Sequence, residues 1–395
     1  MLILVNIFFA LILMPYVSPI QLGSDIQPLV GIFGFLLLLI ALIEKKIFLS
    51  KFDLYFFFIA IISLIYINFN LPVEYEFRKR IGLLFAFIVY MAIKIYYKQF
   101  SYKVFKIVIW MYFISAILQI LSPTIFEHTI GLVVRDIKTD MSVRGVTSLC
   151  TEPSYLSFMG IFFIFVLNYF NNKINLDLKE YRFYLILIIL LILLSKAVSG
   201  FLVGISMLLF VIIKKYFNLK YFLIILVVIS LFVVFIINMN FENRALRLFQ
   251  LLITNPQSLL VDASFGSRFN QLSLGFLSYL VFPFGNGIGN FSLTINELYT
   301  SYDFSSFFIN KASRLRVESE MNGPISVFSQ YSIELGLFYL IFVLLILFKM
   351  RHASINKILF VILSMFVTFP IVFPPIWFLI ALEKGKNEKN TNICR

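Results

Sequence analysis

Residues 155–170 read Tyr-Leu-Ser-Phe-Met-Gly-Ile-Phe-Phe-Ile-Phe-Val-Leu-Asn-Tyr-Phe, a run with no charge, bounded by Glu152 on one side and Lys173 on the other. On a rise of about 1.5 Å per residue such a run approaches a bilayer core, which takes about 20 apolar residues. Polar and apolar positions do not alternate in it, so a barrel strand is excluded. Comparable runs lie at 2–18, 28–43, 53–69, 81–97, 103–121, 155–170, 182–195, 197–213, 220–240, 324–348 and 357–382. The expectation is an all-α integral membrane protein, a polytopic helical bundle of 11–12 transmembrane helices. Without an internal repeat or a soluble segment, residues 1–395 read as one transmembrane domain.

Composition points the same way. The chain is 61% hydrophobic and 13% charged, with 49 Phe, whereas a soluble surface on 395 residues needs many more ionic groups. Leu2 to Tyr16 lacks a basic start and a small-residue cleavage site, and so reads as a retained first helix. Cys150 and Cys394 are expected at opposite faces of the membrane and are not a disulfide pair, and no zinc-type ligand spacing occurs.

The lysines set the orientation. Five short connections carry Lys45, Lys46 and Lys51; Lys98 and Lys103; Lys173, Lys179 and Arg182; Lys214, Lys215 and Lys220; and Lys349, Arg351 and Lys357. These alternate with the remaining connections, which makes them, and the N-terminus, cytoplasmic. The last run contains Pro370, Pro374 and Pro375 and precedes the basic residues Lys384, Lys386 and Lys389. A hairpin of two short spans keeps that tail inside and raises the count from eleven to twelve. Two loops on the outer side are long, at about 122–154 and 241–323, and connections of that length in a polytopic protein are usually functional. An apolar piece of the second loop, Leu272 to Phe284, is suited to lie along the interface.

The arginines are distributed against this rule. Nine of them, Arg78, Arg80, Arg135, Arg144, Arg244, Arg247, Arg268, Arg314 and Arg316, fall in or beside outer segments, joined there by only four lysines. A guanidinium is planar, keeps its charge where water is scarce and grips phosphate or carboxylate with two parallel hydrogen bonds. An anionic ligand at the outer leaflet follows. The competing reading pairs these arginines with acids on the same side, such as Glu74, Glu76, Asp136, Glu318 and Glu320; surface pairs of that kind add little stability.

The end of the first long loop reads Arg144-Gly-Val-Thr-Ser-Leu-Cys-Thr-Glu152-Pro153-Ser154. Pro153 and Ser154 suit a helix start, where Glu152 is either a simple cap or the partner of Arg144. Further on come Ser195-Lys-Ala-Val-Ser199-Gly200, Gly266-Ser-Arg268, Gly285-Asn-Gly-Ile-Gly289 and Glu334-Leu-Gly336. The glycine run follows no strand and is not a dinucleotide motif; it lets a loop turn closely against its surroundings. Tyr299, Tyr302 and Tyr331 are candidates for stacking on sugar rings.

Taken in order, these pieces resemble the Arg-Gly and Glu-Pro-Ser pattern of Wzy-type O-antigen and capsule polymerases, within the O-antigen polymerase and ligase superfamily. The likeness covers most of the chain. It implies substrates that are undecaprenyl-pyrophosphate-linked oligosaccharides, joined on the periplasmic face of the bacterial inner membrane without metal, nucleotide sugar or other cofactor. The partners implied are membrane lipids and a chain-length regulator protein, with no nucleic acid. Such a transfer needs guanidinium groups for the charge growing on the leaving pyrophosphate and a base for the attacking hydroxyl. On this resemblance Arg144 and Arg268 are catalytic; with Arg78, Arg80, Arg314 and Arg316 they bind pyrophosphate, and Glu152 and Glu334 support them. Related ligases open the helix before their Glu-x-Gly motif with a His-Asn pair, whereas this chain has Glu320-Met321-Asn322, which makes Glu320 the candidate base. The alternatives are an O-antigen ligase acting on lipid A core and a flippase for the same lipid-linked unit; the missing histidine and the long outer loops argue against them.

Overall fold

A computed structural model describes residues 1–18, 27–65, 73–134, 145–197, 263–301, 326–367 and 370–383, with isolated positions between 200 and 255. Among the described residues the regular elements are helical, and extended backbone pairs in one isolated bridge, Val17 with Val134. In chain order the helices are α1 (Leu2–Leu13), α2 (Leu29–Ile43), α3 (Lys51–Ile65), α4 (Val73–Tyr96), α5 (Tyr102–Leu121), α6 (Pro123–Thr129) and α7 (Pro153–Ile174). They continue with α8 (Leu178–Leu194), α9 (Ala263–Val281), α10 (Phe291–Ser301), α11 (Val327–Leu335), α12 (Leu337–Met350), α13 (Ile355–Val367) and α14 (Pro374–Leu382). Among the described residues three stretches, Arg80–Gln99, Tyr102–Leu121 and Pro153–Ile174, are long and apolar enough to cross a membrane. On α5 the exposed side chains Ile107, Trp110, Met111, Ile114, Ile117 and Leu121 recur every three or four residues, an apolar stripe suited to lipid.

Most of the expected runs coincide with these helices; those at 197–213 and 220–240 lie almost wholly outside the described residues. Three boundaries differ for local reasons. The first helix stops at Leu13, because Pro15 lacks an N–H and disfavours helical backbone before it. The fourth begins at Val73, so Arg78 and Arg80 stand in its second turn and not in a loop. The run at 324–348 is broken at Gly336.

The chain forms two compact units. The first comprises residues 1–33 and 98–254. Its core is aromatic: Phe9 stacks on Phe100 with ring centroids 4.3 Å apart, and Phe105 meets both Phe163 and Phe170. The Tyr112 hydroxyl donates to the Leu13 carbonyl (3.1 Å), tying α5 to the end of α1. Between α7 and α8 the approach is close, since a Cβ on Gly160 would meet Ile192 at 2.4 Å.

The second unit comprises residues 34–97 and 255–395. Its α3 and α4 run antiparallel, with Asp53 bonded to Tyr90 and Lys94 at one end and the Ser63 hydroxyl donating to the Arg80 carbonyl at the other. Phe56 packs on Tyr90, Phe342 and Trp377, joining α3, α4, α12 and α14. The last apolar run is a hairpin: the chain turns at Pro370–Phe373, and Glu383 after α14 pairs with Lys357 at the start of α13 (2.5 Å). Nine residues of α14 rise only about 14 Å, which is short of a full crossing.

Candidate functional site

Four of the five sequence motifs close on one another in pairs, one pair in each unit. In the first unit the segment after Arg144 meets the segment at Ser195. Gly145 lies so near the end of α8 that a Cβ there would sit 1.9 Å from the Ser195 carbonyl oxygen, and the Val146 N–H donates to the Leu194 carbonyl (3.0 Å). Gly200 approaches α7 just as closely, at the Ser157 side chain. Only glycine allows either contact.

The intervening loop is held from the other side by α5. Gln119 Oε1 accepts from the N–H groups of Thr147 (3.0 Å) and Ser148 (2.9 Å), while its Nε2 donates to Thr147 Oγ1 (3.1 Å). Ser148 adopts φ +54° and donates its hydroxyl to the Tyr112 carbonyl (2.6 Å). Cys150 is buried against Tyr112, and burial pushes its thiol well above the ordinary range, so it stays protonated and unreactive. Glu152 occupies the N-cap position of α7, yet its side chain caps nothing. The carboxylate accepts from the Ser154 hydroxyl (3.1 Å) and stands at the helix N-terminus, where the helix dipole favours a negative charge.

In the second unit the Gly285–Gly289 run crosses the break between α11 and α12. A helix end leaves carbonyl and N–H groups without partners, and where these are buried they have to be met by protein. The loop meets them. Asn286 and Gly287 N–H groups donate to the carbonyls of Ile333 and Glu334 (both 3.0 Å), and the Leu337 N–H donates back to Pro283 (2.7 Å). The Glu334 side chain is fully buried and completes the clasp, accepting from the Gly289 N–H (2.9 Å) and from Gln330 Nε2 (3.2 Å). Gly285, Gly287, Gly289 and Gly336 all have positive φ, and a Cβ on Gly285 or Gly336 would strike the opposing backbone at 2.5 or 2.3 Å.

Around this clasp, α11 is the shared partner of two arginine-bearing helices. Gly82 of α4 lies against the Tyr331 hydroxyl (a Cβ would be 3.1 Å from it), two residues after Arg80. Gly275 of α9 touches the Ser329 backbone, and Tyr279 bonds Ser332 (2.7 Å), so α9 runs alongside α11 in the same direction. The expected interfacial piece, 272–284, is therefore packed along α11. Arg268, half-buried, stands seven residues before Gly275, about 10 Å further along the axis, beyond the start of α11. Both Arg80 and Arg268 thus sit on the N-terminal side of a contact with α11, the helix into which the segment bearing Arg314, Arg316 and Glu320 leads. Those three residues and Arg144 lie outside the described residues, as does Tyr302. Tyr331 is buried against Tyr339, with ring centroids 5.6 Å apart, and this removes it as a sugar-stacking residue.

Sequence reading did not find Gln119, Gln330 or Asn286. Each is a lone amide in or beside an apolar run: Gln119 reaches Thr147 and Ser148, 28 and 29 residues on, while Gln330 bonds Glu334 one turn along its own helix and Asn286 Nδ2 bonds Thr294. Among the described residues no three His, Cys, Asp or Glu side chains come together as metal ligands. No protein-family model matches this chain, and no curated protein sequence matches it.

Proposed function

We propose that this chain polymerises undecaprenyl-pyrophosphate-linked oligosaccharide repeat units on the periplasmic face of the bacterial inner membrane, building an O-antigen or related surface polysaccharide. The observation that carries this reading is the pairwise closure of the motifs on which the resemblance rests. Accidental short matches scattered along a chain have no reason to interlock. A second support is the outward bias of arginine, which fits an anionic leaving group better than it fits membrane orientation.

In this reading the chain crosses the membrane 11–12 times and the loops at 122–154 and 241–323 face the periplasm. A hydroxyl of one lipid-linked unit attacks the anomeric carbon of the other; the new glycosidic bond forms as the bond to pyrophosphate breaks, and undecaprenyl pyrophosphate leaves. Arg144 and Arg268, with Arg78, Arg80, Arg314 and Arg316, hold the pyrophosphate oxygens as their charge grows. Glu320 takes the hydroxyl proton. Glu334 and Glu152 act at a distance, through the clasp and the loop they belong to. A chain-length regulator protein is the partner this activity implies.

Deleting the gene tests the reading. Lipid A core carrying a single repeat unit is the expected product, whereas bare core would assign the chain to ligation or flipping. Arg144→Lys and Arg268→Lys keep the charge and lose the planar fork, so each should cut polymerisation about a hundredfold at normal protein level. Wild-type polymer from both would remove the arginines from the chemistry.

A further inference from the structure

We infer that Tyr279 is a positioning residue for Arg268, fixing the rotation of the helix from which that arginine projects; the inference rests on the polymerase reading. Both residues belong to α9, a continuous helix over Ala263–Val281, so whatever orients the helix orients the arginine. They stand eleven residues apart, about three full turns at 3.6 residues each, and therefore share one face. Gln271 and Gly275, both buried, fall on the same stripe. That stripe is the one turned to α11, where Gly275 meets the Ser329 backbone. Arg268 is its half-buried N-terminal member.

The contacts between α9 and α11 restrain different motions. Gly275 lets the two backbones approach, since a Cβ there would lie 3.1 Å from Ser329 Cα, yet a glycine has no side chain with which to resist rotation. The clasp just beyond α9, with Asn286 and Gly287 on the carbonyls of Ile333 and Glu334, fixes the height of the helix along its axis. Ser278 Oγ turns back to the Gly275 carbonyl of its own helix (2.7 Å). Rotation is opposed by Tyr279, whose Oη shares a hydrogen bond with Ser332 Oγ on α11 (2.7 Å). Such a bond weakens steeply as its angle opens, whereas the contact of the Phe276 and Phe328 rings, with centroids 4.7 Å apart, tolerates sliding. Because Arg268 shares the face of Tyr279, freeing the rotation displaces it directly. A turn of about 10° carries a side-chain tip about 6 Å from the axis through about 1 Å. An error of that size in a positioned group costs up to about a hundredfold in rate.

The test uses the full-length protein in membranes and compares Tyr279→Phe, which keeps the ring and loses only the hydroxyl, with Ser332→Ala, which removes its partner. With purified undecaprenyl-pyrophosphate-linked repeat units, each variant should lose about tenfold in kcat with KM little changed, and the double variant should lose no more than either single. In an Arg268→Lys background Tyr279→Phe should cost less than a further twofold, because it acts through the arginine already altered; a hydroxyl that only stabilises the fold would multiply the two losses. A readout without catalysis places nitroxides on Phe269→Cys and Ile341→Cys, both exposed, in a Cys394→Ser background. The distance between them should shift or broaden by about 2 Å in Tyr279→Phe, as a spin label carried on a helix that turns by about 10° or more requires. Wild-type kcat, losses that multiply, or an unchanged distance would overturn the inference. Wild-type protein that forms no polymer would refute the polymerase reading, and a shifted distance in Tyr279→Phe would then still support the hold on α9. If Tyr279→Phe does not accumulate, Ser332→Ala carries the same measurements, since it breaks the same bond from the other helix.

Discussion

Asp53 is a charge that an apolar helix pair should not tolerate alone, and it is not alone: fully buried, it accepts from Tyr90 Oη (2.8 Å), from Lys94 Nζ (2.5 Å) and from the Ser50 N–H. Removing one partner of such a pair leaves an uncompensated charge, which typically costs about 3–5 kcal/mol, whereas replacing both is far milder. Lys94→Met should therefore lower the melting temperature in detergent by several degrees. Asp53→Asn combined with Lys94→Met should return most of the loss, and an undisturbed single variant would show the pair to be dispensable. The sequence displays both charges inside apolar runs, but they stand 41 residues apart and nothing local pairs them. Glu334 was legible for a different reason, its place in a short motif. Its bonding was not, because the Gly289 N–H that it accepts from lies 45 residues upstream.

Among the elements, the broken helix and its clasp make the sharpest demand on residue type. Alanine at Gly285 or Gly336 would have to adopt positive φ and also push its Cβ into backbone at 2.5 or 2.3 Å. Each change should destabilise by about 2 kcal/mol or more, seen as a lower melting temperature and less protein in the membrane. Gly204 supplies the control, since among the described residues a Cβ there meets nothing within 4 Å. Gly204→Ala should leave the melting temperature unchanged or slightly raised. A Gly336→Ala protein as stable as wild type would remove the clasp from the account. Hydropathy made the helices readable, while it concealed this break, because apolar character runs on across Gly336 into Leu337 and beyond. The prolines at 370, 374 and 375 did announce the turn between α13 and α14, since a continuous helix through them would lose a hydrogen bond at each, whereas Pro374 and Pro375 suit a helix start.

For the whole molecule, the lysine and arginine sorting makes a prediction about sides. In a Cys394→Ser background, cysteines at His128 on α6 and Glu297 on α10, both exposed, should react with a membrane-impermeant maleimide once the outer membrane is permeabilised. Lys215→Cys should react only after the inner membrane is broken. The opposite pattern would place the long loops in the cytoplasm and end the proposal of an outer site. Order along the chain was readable from one-dimensional pattern, and the assembly into two units was not. Each unit is built from pieces separated by the other, a property of contacts and not of local composition.

That interleaving governs how the molecule can be made. The first unit has all of its residues by Thr254, so it can close while the ribosome is still at work. Gly285–Gly289 must wait for Glu334, some 45 residues later, roughly two to nine seconds of synthesis at about 5–20 residues per second. Until then its N–H groups need water or the insertion machinery as partners. The wait is longer for α3 and α4, whose aromatic face receives Trp377 only when nearly the whole chain has emerged. A nascent chain arrested before Pro374 would carry every residue of the first unit and a second unit whose Phe56 and Phe342 still lack the ring that covers them, a state that membrane quality-control proteases can recognise.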